Sequence, residues 1–255
     1  MKIATFNINS INARLPSFAK WLEKTAPDVV LLQEIKTEYN NFPFFEISAL
    51  GYHIAVSGQK GYNGVAVLSK TPIQICREKL PDFETPEARY IEVLISDILF
   101  VSVYMPNGNP LGSEKFDFKL KFMEAFNRHA SDLLKTYQKI IIGGDFNVVL
   151  SAGDIYSEAA LQNNALTDEN ARKALTAFKY LGYYDAFKSI NAKENGYTYW
   201  DYGATAFLND FGMRIDYFFL SAKIAESLTD CFTDKTMRMA EKPSDHAPLV
   251  ATFEV

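Results

Sequence analysis

The sequence predicts an α/β protein: a two-sheet sandwich of mixed β-sheets flanked by helices, four layers in all. Three observations carry that reading. Helical periods alternate with strand periods in both halves of the 255-residue chain. Several neighbouring strand segments are joined by short turns, so antiparallel pairs accompany the parallel ones. One segment, Lys139–Val149 (KIIIGGDFNVV), runs apolar without alternation, as a strand buried on both faces does. Hydrophobic residues make up 48% of the chain, enough for a sizeable core. No linker, low-complexity tract or charge block divides it, so one domain over residues 1–255 is expected.

Taken in order, Met1–Asn9 alternates Ile3, Thr5, Asn7 and Asn9 against Ala4, Phe6 and Ile8, a strand whose odd face turns polar at its end. Ser10–Thr25 places Ile11, Leu15, Phe18, Trp21 and Leu22 at helical spacing, and Pro27 and Asp28 break the helix. Asp28–Lys36 (DVVLLQEIK) is a second apolar run ending in polar residues, with Glu34 at its tip. YHIAV and GVAVLS, within Gly51–Lys70, read as strands joined by SGQKGYN. Lys60, Gly61, Tyr62 and Asn63 suit a loop that meets a phosphate backbone, and equally an ordinary turn. Ala88–Ser96 and Ile98–Met105 form a hairpin with Asp97 at the turn. A Pro/Gly/Asn loop follows Tyr104.

Ser113–Lys135 is a long helix with Phe116, Leu120, Met123, Phe126, Ala130, Leu133 and Leu134 on one face. The Lys139–Val149 strand comes next. Gly143 and Gly144 allow close backbone approach there, and Asp145 and Asn147 stand at its end. Polar side chains on the end of a buried strand have rigid support. Ser151–Thr167 reads as polar loop and Asp168–Leu181 as a helix stopped by Gly182. Tyr197–Tyr202 and Arg214–Ser221 read as strands, with Gly203–Gly212 between them as a loop able to reach a ligand. In Lys242–Val255, residues Ser244, Asp245 and His246 open a final strand.

The composition narrows the chemistry. Cys76 and Cys231 share no metal-type spacing and are too few for a disulfide framework, so both are expected reduced and structural. No apolar run is long enough to span a bilayer and no secretory leader is visible, so a soluble, cytoplasmic protein is expected. The formal net charge of −5 argues mildly against a nucleic-acid partner. A binder of this charge must gather its cations on one face. The polar residues at strand ends are Asn7, Glu34, Tyr104, Asp145, Asn147, Asp216, Asp245 and His246. No Ser or Cys stands beside a general base, and one histidine without usable thiols does not make a zinc site. Carboxylates and amides are hard oxygen donors suited to Mg²⁺ or Mn²⁺. Such an ion beside Asp, Asn and His is equipped for phosphate-ester hydrolysis. His53 and His129 read as structural. Asp216, in RIDY, could hold the His246 imidazole in one tautomer.

The segments FNIN, LQEIK, GYNGVAVLS, VSVYMPNG, GGDFNV, GYTYWDY, RIDYFFLS and SDHAP, in this order, closely resemble the exonuclease III family of abasic-site endonucleases. That family belongs to the endonuclease/exonuclease/phosphatase superfamily. The resemblance spans essentially the whole chain and implies its two-sheet fold. It also implies Mg²⁺-dependent cleavage of duplex DNA 5′ to an abasic site, with 3′–5′ exonuclease or 3′ end-cleaning activity. Mn²⁺ is the expected substitute ion.

By the same resemblance Glu34 is the main metal ligand, with Asn7 and Asp245 completing the site directly or through water. A second ion would sit among Asp145, Asn147 and His246. Asp145 positions or deprotonates the attacking water, and Asn147 holds the phosphate or the nucleophile. His246, oriented by Asp216, meets the scissile phosphate, and Tyr104 lies beside the leaving group. Asn107, Gly61, Tyr62 and Arg89 match DNA-backbone contacts, with Arg14 and Lys36 added to them. Tyr199, Met213 and Ile215 match the small apolar pocket for an extruded abasic sugar. The expected partner is duplex DNA with abasic sites or 3′ ends, bound by a monomer without an obligate protein partner.

The chain departs from the family pattern at three places. Ser10, Ile11 and Asn12 replace a frequent Gly-Leu-Arg run. Pro110 stands in the loop where some members insert an arginine, and Met213 replaces a tryptophan of some relatives. Two rivals fit less well. One rival is another superfamily member: a nonspecific nuclease, a sphingomyelinase or an inositol-phosphate phosphatase. Secreted nucleases and sphingomyelinases usually carry a signal peptide and a second catalytic histidine near the Tyr104 strand, and neither is seen here. Binding proteins that have lost catalysis on this fold lack carboxylates at the positions of Glu34, Asp145 or Asp245, all present here.

Overall fold

In the computed structural model, which describes residues 1–203 and 205–254, two six-stranded sheets pack face to face. In chain order the strands are β1 (Lys2–Asn7), β2 (Val29–Gln33), β3 (His53–Ser57), β4 (Val65–Ser69), β5 (Gln74–Arg77) and β6 (Tyr90–Ile95). They continue with β7 (Ile98–Tyr104), β8 (Ile140–Asp145), β9 (Tyr183–Asp185), β10 (Asp216–Ser221), β11 (Leu228–Thr233) and β12 (Leu249–Phe253). The helices are α1 (Ile11–Thr25), α2 (Phe44–Ser48), α3 (Glu114–Thr136), α4 (Glu169–Tyr180), α5 (Ala186–Ile190) and α6 (Ala222–Ala225).

One sheet runs β11-β12-β1-β2-β4-β3 and the other β5-β6-β7-β8-β10-β9. The β1–β2 and β7–β8 pairs are parallel and the remaining pairs antiparallel, which makes both sheets mixed.

The central layer lies between the sheets, where Ile3, Leu31 and Val67 meet Val93, Phe100, Ile141 and Phe218. On the outer face of one sheet α1 buries Phe18, Trp21 and Leu22 against Phe6, Val30 and Leu68. On the outer face of the other, Phe122, Met123 and Phe126 of α3 and Leu175 and Phe178 of α4 cover Val101, Ile142 and Phe219. These are the expected four layers. The paired glycines of β8 are required by contact. A Cβ on Gly144 would stand 1.9 Å from the Val103 carbonyl oxygen, and one on Gly143 within 2.8 Å of Phe218 and Leu31. Beneath the site a polar bolt joins the sheets: Gln33 donates to Ser102 Oγ (2.9 Å) and Thr5 Oγ1 (3.1 Å), all three side chains being fully buried.

Two expectations are corrected. Tyr197–Tyr202 is not a strand. Tyr199 makes isolated bridges to Met213 and to His246, so its backbone groups tie two segments of the site instead of extending one ladder. Ser151–Thr167 is more than polar loop. It holds 3₁₀ turns at Ala152–Asp154 and Glu158–Leu161 and buries Asp154, Ile155, Ala165 and Leu166. Strands β5, β9 and β11 are short edge or near-edge strands without a clean alternation, and the pattern does not reveal them. Among the described residues no helix is long and apolar enough to cross a membrane. Cys76 and Cys231 are both free.

Candidate active site

The ladder register sets the site. Tyr104 of β7 and Asp216 of β10 are both Cα partners of Asp145 on β8, so the three stand side by side at one sheet end. In the facing sheet Asn7 of β1 pairs with Gln33 of β2, and Glu34 follows directly. The chain turns sharply there: Glu34 is in the left-handed region at φ 48°, and Asn147 beyond β8 at φ 49°. Non-glycine residues adopt that conformation at a cost, and such strain gathers at functional sites. Here it aims both side chains into one cleft of about 470 Å³.

Across the cleft floor the polar groups form a continuous row. Asn7 Nδ2 donates to Glu34 Oε1 (2.8 Å) and to Asp145 Oδ2 (2.9 Å). Tyr104 donates its hydroxyl to Glu34 Oε1 (2.8 Å). Asn147 donates from its backbone to Asp145 Oδ1 (2.9 Å) and from Nδ2 to the Met105 carbonyl (2.9 Å), while Asn107 Nδ2 donates to Asn147 Oδ1 (3.1 Å). His246 Nδ1 lies 2.8 Å from Asp216 Oδ2, and its Nε2 points at Asp145 Oδ2, 3.8 Å away. Asp245 Oδ1 accepts from Asn9 Nδ2 (3.0 Å).

The electrostatics follow from burial and neighbours. Burial alone would lower the His246 pKa, but the charge and hydrogen bond of Asp216 outweigh it and raise it, so the ring is held as a cation. Burial pushes the Asp145 carboxyl up, against the pull of the His246 charge. Glu34 is driven the other way: burial raises it, but the Lys36 ammonium and the Asn7 amide bring it below the usual carboxylate range. Burial and the Glu34 charge hold the Tyr104 phenol protonated.

The donors suit a hard divalent cation. Glu34, Asp145 and Asp245 supply carboxylate oxygens and Asn147 an amide oxygen around the cleft, while Asn7 beside them turns its Nδ2 to Glu34 and Asp145 and its Oδ1 to the Asn9 backbone. Asp145, Asp216 and His246 also offer ligand atoms within 4.8 Å of one another. In that second group Asp216 is fully buried and its Oδ2 already accepts from Thr198 Oγ1 (2.6 Å) and faces the His246 ring. Glu34 lines the cleft, which Asp216 does not, and is therefore the better placed first ligand, its oxygens meeting Asn7, Tyr104 and Lys36.

The other expected residues fall as follows. Tyr199, Met213 and Ile215 line the apolar side of the same cleft, Tyr199 edge-on to the His246 ring at 5.0 Å. Gly61 and Tyr62 are exposed at a loop tip, Tyr62 by 73%. Three of the expected DNA-contacting cations are engaged within the protein. Lys36 Nζ pairs with Glu34 (2.8 Å) and Asn9 Oδ1 (2.6 Å). Arg14 donates to the Asn9 and Pro243 carbonyls and to Tyr202, and Arg89 lies over the Tyr104 ring at 4.6 Å while pairing with Glu87. Of the departures, Asn12 is exposed on α1 and donates to Asn41 O (3.3 Å), and Pro110 is exposed in the loop before α3.

Sequence reasoning gave no role to Asn9, Thr198, Arg214 or Lys119. Arg214 is buried between Asp154 and Asp185, at 2.8 Å from each, and fixes the Ser151–Thr167 segment beside the cleft. Lys119 is fully buried on α3, and burial pulls its ammonium down to about 7 against the charges of Asp145 and Asp168. It stands at the helical spacing of Phe116, Met123 and Phe126, so a lysine on the apolar stripe was the available signal.

A sandwich that ends in carboxylates, amides and an aspartate-held histidine around one cleft is built to hydrolyse phosphate esters. Residues 4–246 match the Endonuclease/Exonuclease/phosphatase family. The chain belongs to that family, within the exonuclease III-like group of abasic-site endonucleases, and is a nuclease. It is 33% identical over 276 aligned residues to the exodeoxyribonuclease III of Haemophilus influenzae, with 100% of both chains covered. Among solved structures, an AP endonuclease from Archaeoglobus fulgidus matches with a TM-score of 0.95 at 36% identity, over 100% of both chains. A 3′ phosphatase from Neisseria bound to a product DNA hairpin matches with a TM-score of 0.94 at 32% identity, again over 100% of both.

Proposed function

We propose that this chain is a single-domain, monomeric DNA-repair enzyme of the cytoplasm. With Mg²⁺, or Mn²⁺ in its place, it hydrolyses the phosphodiester 5′ to an abasic site in duplex DNA and trims or cleans 3′ ends. One observation carries the reading: the row His246–Asp145–Asn7–Glu34 lies in the same cleft as the apolar wall of Tyr199, Met213 and Ile215.

The chemistry is direct in-line attack by water. Asp145 orients the water and takes its proton, a role suited to a carboxyl whose affinity for a proton is raised by burial. Asn147, braced by Asn107 and the Met105 carbonyl, presents its amide to the phosphate or the water. His246 donates from Nε2 to a phosphate oxygen, with Asp216 fixing the ring through Nδ1. Tyr104 offers its hydroxyl beside the leaving group. Glu34, with Asn7 and Asp245 directly or through water, would hold the divalent ion, which offsets charge on the phosphate oxygens when bound.

Selection comes from the wall. A base-less sugar fits beside Tyr199, Met213 and Ile215, and its extrusion costs less because stacking is already lost. Gly61, Tyr62, Arg89, Asn107, Arg14 and Lys36 would meet the DNA backbone. The three cations among them, Arg89, Arg14 and Lys36, must first exchange an internal partner for phosphate.

The test uses end-labelled duplex DNA carrying one tetrahydrofuran abasic analogue, with Mg²⁺ or EDTA, comparing the wild type with Asp145→Asn. The expected result is one Mg²⁺-dependent nick 5′ to the analogue that the variant does not make. A ladder shortening from the 3′ end without a nick would make 3′ end processing the main activity. The relative from Neisseria, a 3′ phosphatase, is as similar in fold as the AP endonuclease, and this gives that second reading its weight. Binding without any cleavage would overturn both.

A further inference from the structure

We propose that Lys119, on a helix outside the sandwich, is a positioning residue that sets three segments from two loops of the site relative to one another. Its ammonium donates to the Asn107 carbonyl (3.0 Å), the Asn147 carbonyl (2.7 Å) and the Ala165 carbonyl (3.0 Å). Those carbonyls come from two connections: Asn107 follows β7, and Asn147 and Ala165 stand near opposite ends of the long segment between β8 and α4. An ammonium has three donors and no acceptor, and here each donor meets one backbone oxygen. Among the described residues no carboxylate pairs with it. Its bonding partners are the loops themselves, which distinguishes it from a buried cation held for charge balance.

The loops it gathers are those that carry the chemistry. Asn107 and Asn147 are hydrogen-bonded to each other through their side chains, and Asn147 also holds Asp145. Ala165 lies between Asn164 and Leu166, both of which line the cleft. Asn109 extends the tie, donating to Asn164 Oδ1 (3.0 Å) and accepting from the Ala165 backbone (2.9 Å). The lysine stem has a reserved path. Gly108 sits at φ +86°, and a Cβ there would stand 2.6 Å from Lys119 Cδ. One side chain from α3 thus fixes the carbonyls behind both asparagines and one wall of the cleft. Losing it leaves three carbonyls without their donor and lets the asparagines drift. A displacement of about 1 Å at a reacting centre costs about 10²-fold in rate.

The inference rests on the reading that Asn147 faces the reacting phosphate, and the test separates the two. Turnover on the abasic duplex is measured for Lys119→Met, Asn147→Ala, the double variant, and Ala125→Gly as a control of lowered stability on the same helix. Lys119→Met is expected to lower kcat by about 10²-fold with little change in KM, and Ala125→Gly to leave kcat within about twofold. The double variant is expected to be no slower than Asn147→Ala alone by more than about twofold, because residues acting as a unit are not additive. A merely structural lysine would give losses that multiply.

The role of Lys119 is overturned if Lys119→Met keeps the wild-type kcat while Asn147→Ala is crippled, or if the two losses multiply. If Asn147→Ala is itself silent, the reading of the site fails and the proposal with it. Should Lys119→Met not fold, Gly108→Ala displaces the stem from the other side. It is expected to show the same non-additivity with Asn147→Ala, and an independent effect overturns the proposal.

Discussion

His246 Nδ1 stands 2.8 Å from Asp216 Oδ2, inside a site where Asp216 is fully buried and its other oxygen has no partner among the described residues. A buried carboxylate with an unsatisfied oxygen is costly on its own. It is tolerated here because its charge is matched by the imidazolium it raises. Thr198 completes the arrangement by donating to the same Oδ2, so the ring is fixed in position and in tilt by a pair on separate segments.

Asp216→Asn should therefore damage turnover more than binding. The neutral amide keeps the shape but withdraws the charge that holds His246 protonated. We expect kcat on the abasic duplex to fall by about 10²–10⁴-fold with KM nearly unchanged. Thr198→Val, which removes one hydrogen bond and leaves the charge, should fall by about tenfold. Steady-state kinetics of the two variants decide the order. Equal losses would show that geometry, and not the Asp216 charge, governs the ring.

Tyr104 offers a narrower test. Its hydroxyl donates to Glu34, and burial keeps the phenol protonated. Tyr104→Phe removes one donor from a ligand-bearing carboxylate without creating a cavity. The expected outcome is a kcat lower by about 10–10²-fold and a weaker apparent affinity for Mg²⁺, read by metal titration of the nicking rate. An unchanged metal midpoint would separate Tyr104 from the ion.

Arg214 links stability to the wall of the cleft. Its guanidinium is shared by Asp154 and Asp185, all three being nearly inaccessible. Arg214→Met leaves two carboxylates buried without their counterion, which should cost about 3–5 kcal/mol in urea-induced unfolding. The acid limb carries the same signature. Burial would raise Asp154, but Arg214 outweighs it and holds the folded pKa below the ordinary 3.8. A depressed folded pKa contributes stability that is present above pH 3.8 and lost as pH falls through the folded value. The wild type should therefore lose stability steeply below about pH 4. Arg214→Met should show a shallower acid slope, because Asp154 loses the charge that depresses its pKa most and keeps only the weaker pull of Ser151 and Lys188.

Much of this was legible in the sequence because the fold speaks in long patterns. KIIIGGDFN, DVVLLQE and RIDYFFLS are buried strands with polar tips, and the tips are where Asp145, Glu34 and Asp216 stand. Edge strands such as β5, with mostly exposed residues, have no buried face to impose a period. Tyr197–Tyr202 reads as a strand because it is rich in aromatic residues, yet its backbone bonds go to Met213 and Asp245 one residue at a time. Lys119 was hidden by a different habit of reading. A lysine in an apolar stripe is ordinarily assigned outward, and only the three-dimensional convergence of loop carbonyls gives it a place inside.

Met213 bears on what the cleft accepts. It is almost buried, bridges to Ile155 and Tyr199, and stands with Tyr199 and Ile215 on the apolar wall. The proposed selectivity works by exclusion: the wall leaves room for a sugar without a base. Met213→Ala removes bulk from that wall without touching Asp145, His246 or Glu34. Cutting at the abasic analogue should change by no more than a few-fold, while cutting at an ordinary nucleotide in the same duplex should rise. A pocket altered by a side chain of this size shifts discrimination by about 10–200-fold, so the ratio of the two rates is the quantity to measure. The opposite change, Met213→Trp, adds bulk and should lower the rate at ordinary nucleotides further. If neither substitution moves the ratio, the apolar wall is not the selective element. The choice of substrate would then lie in how the exposed Tyr62 loop and its neighbours grip and bend the duplex.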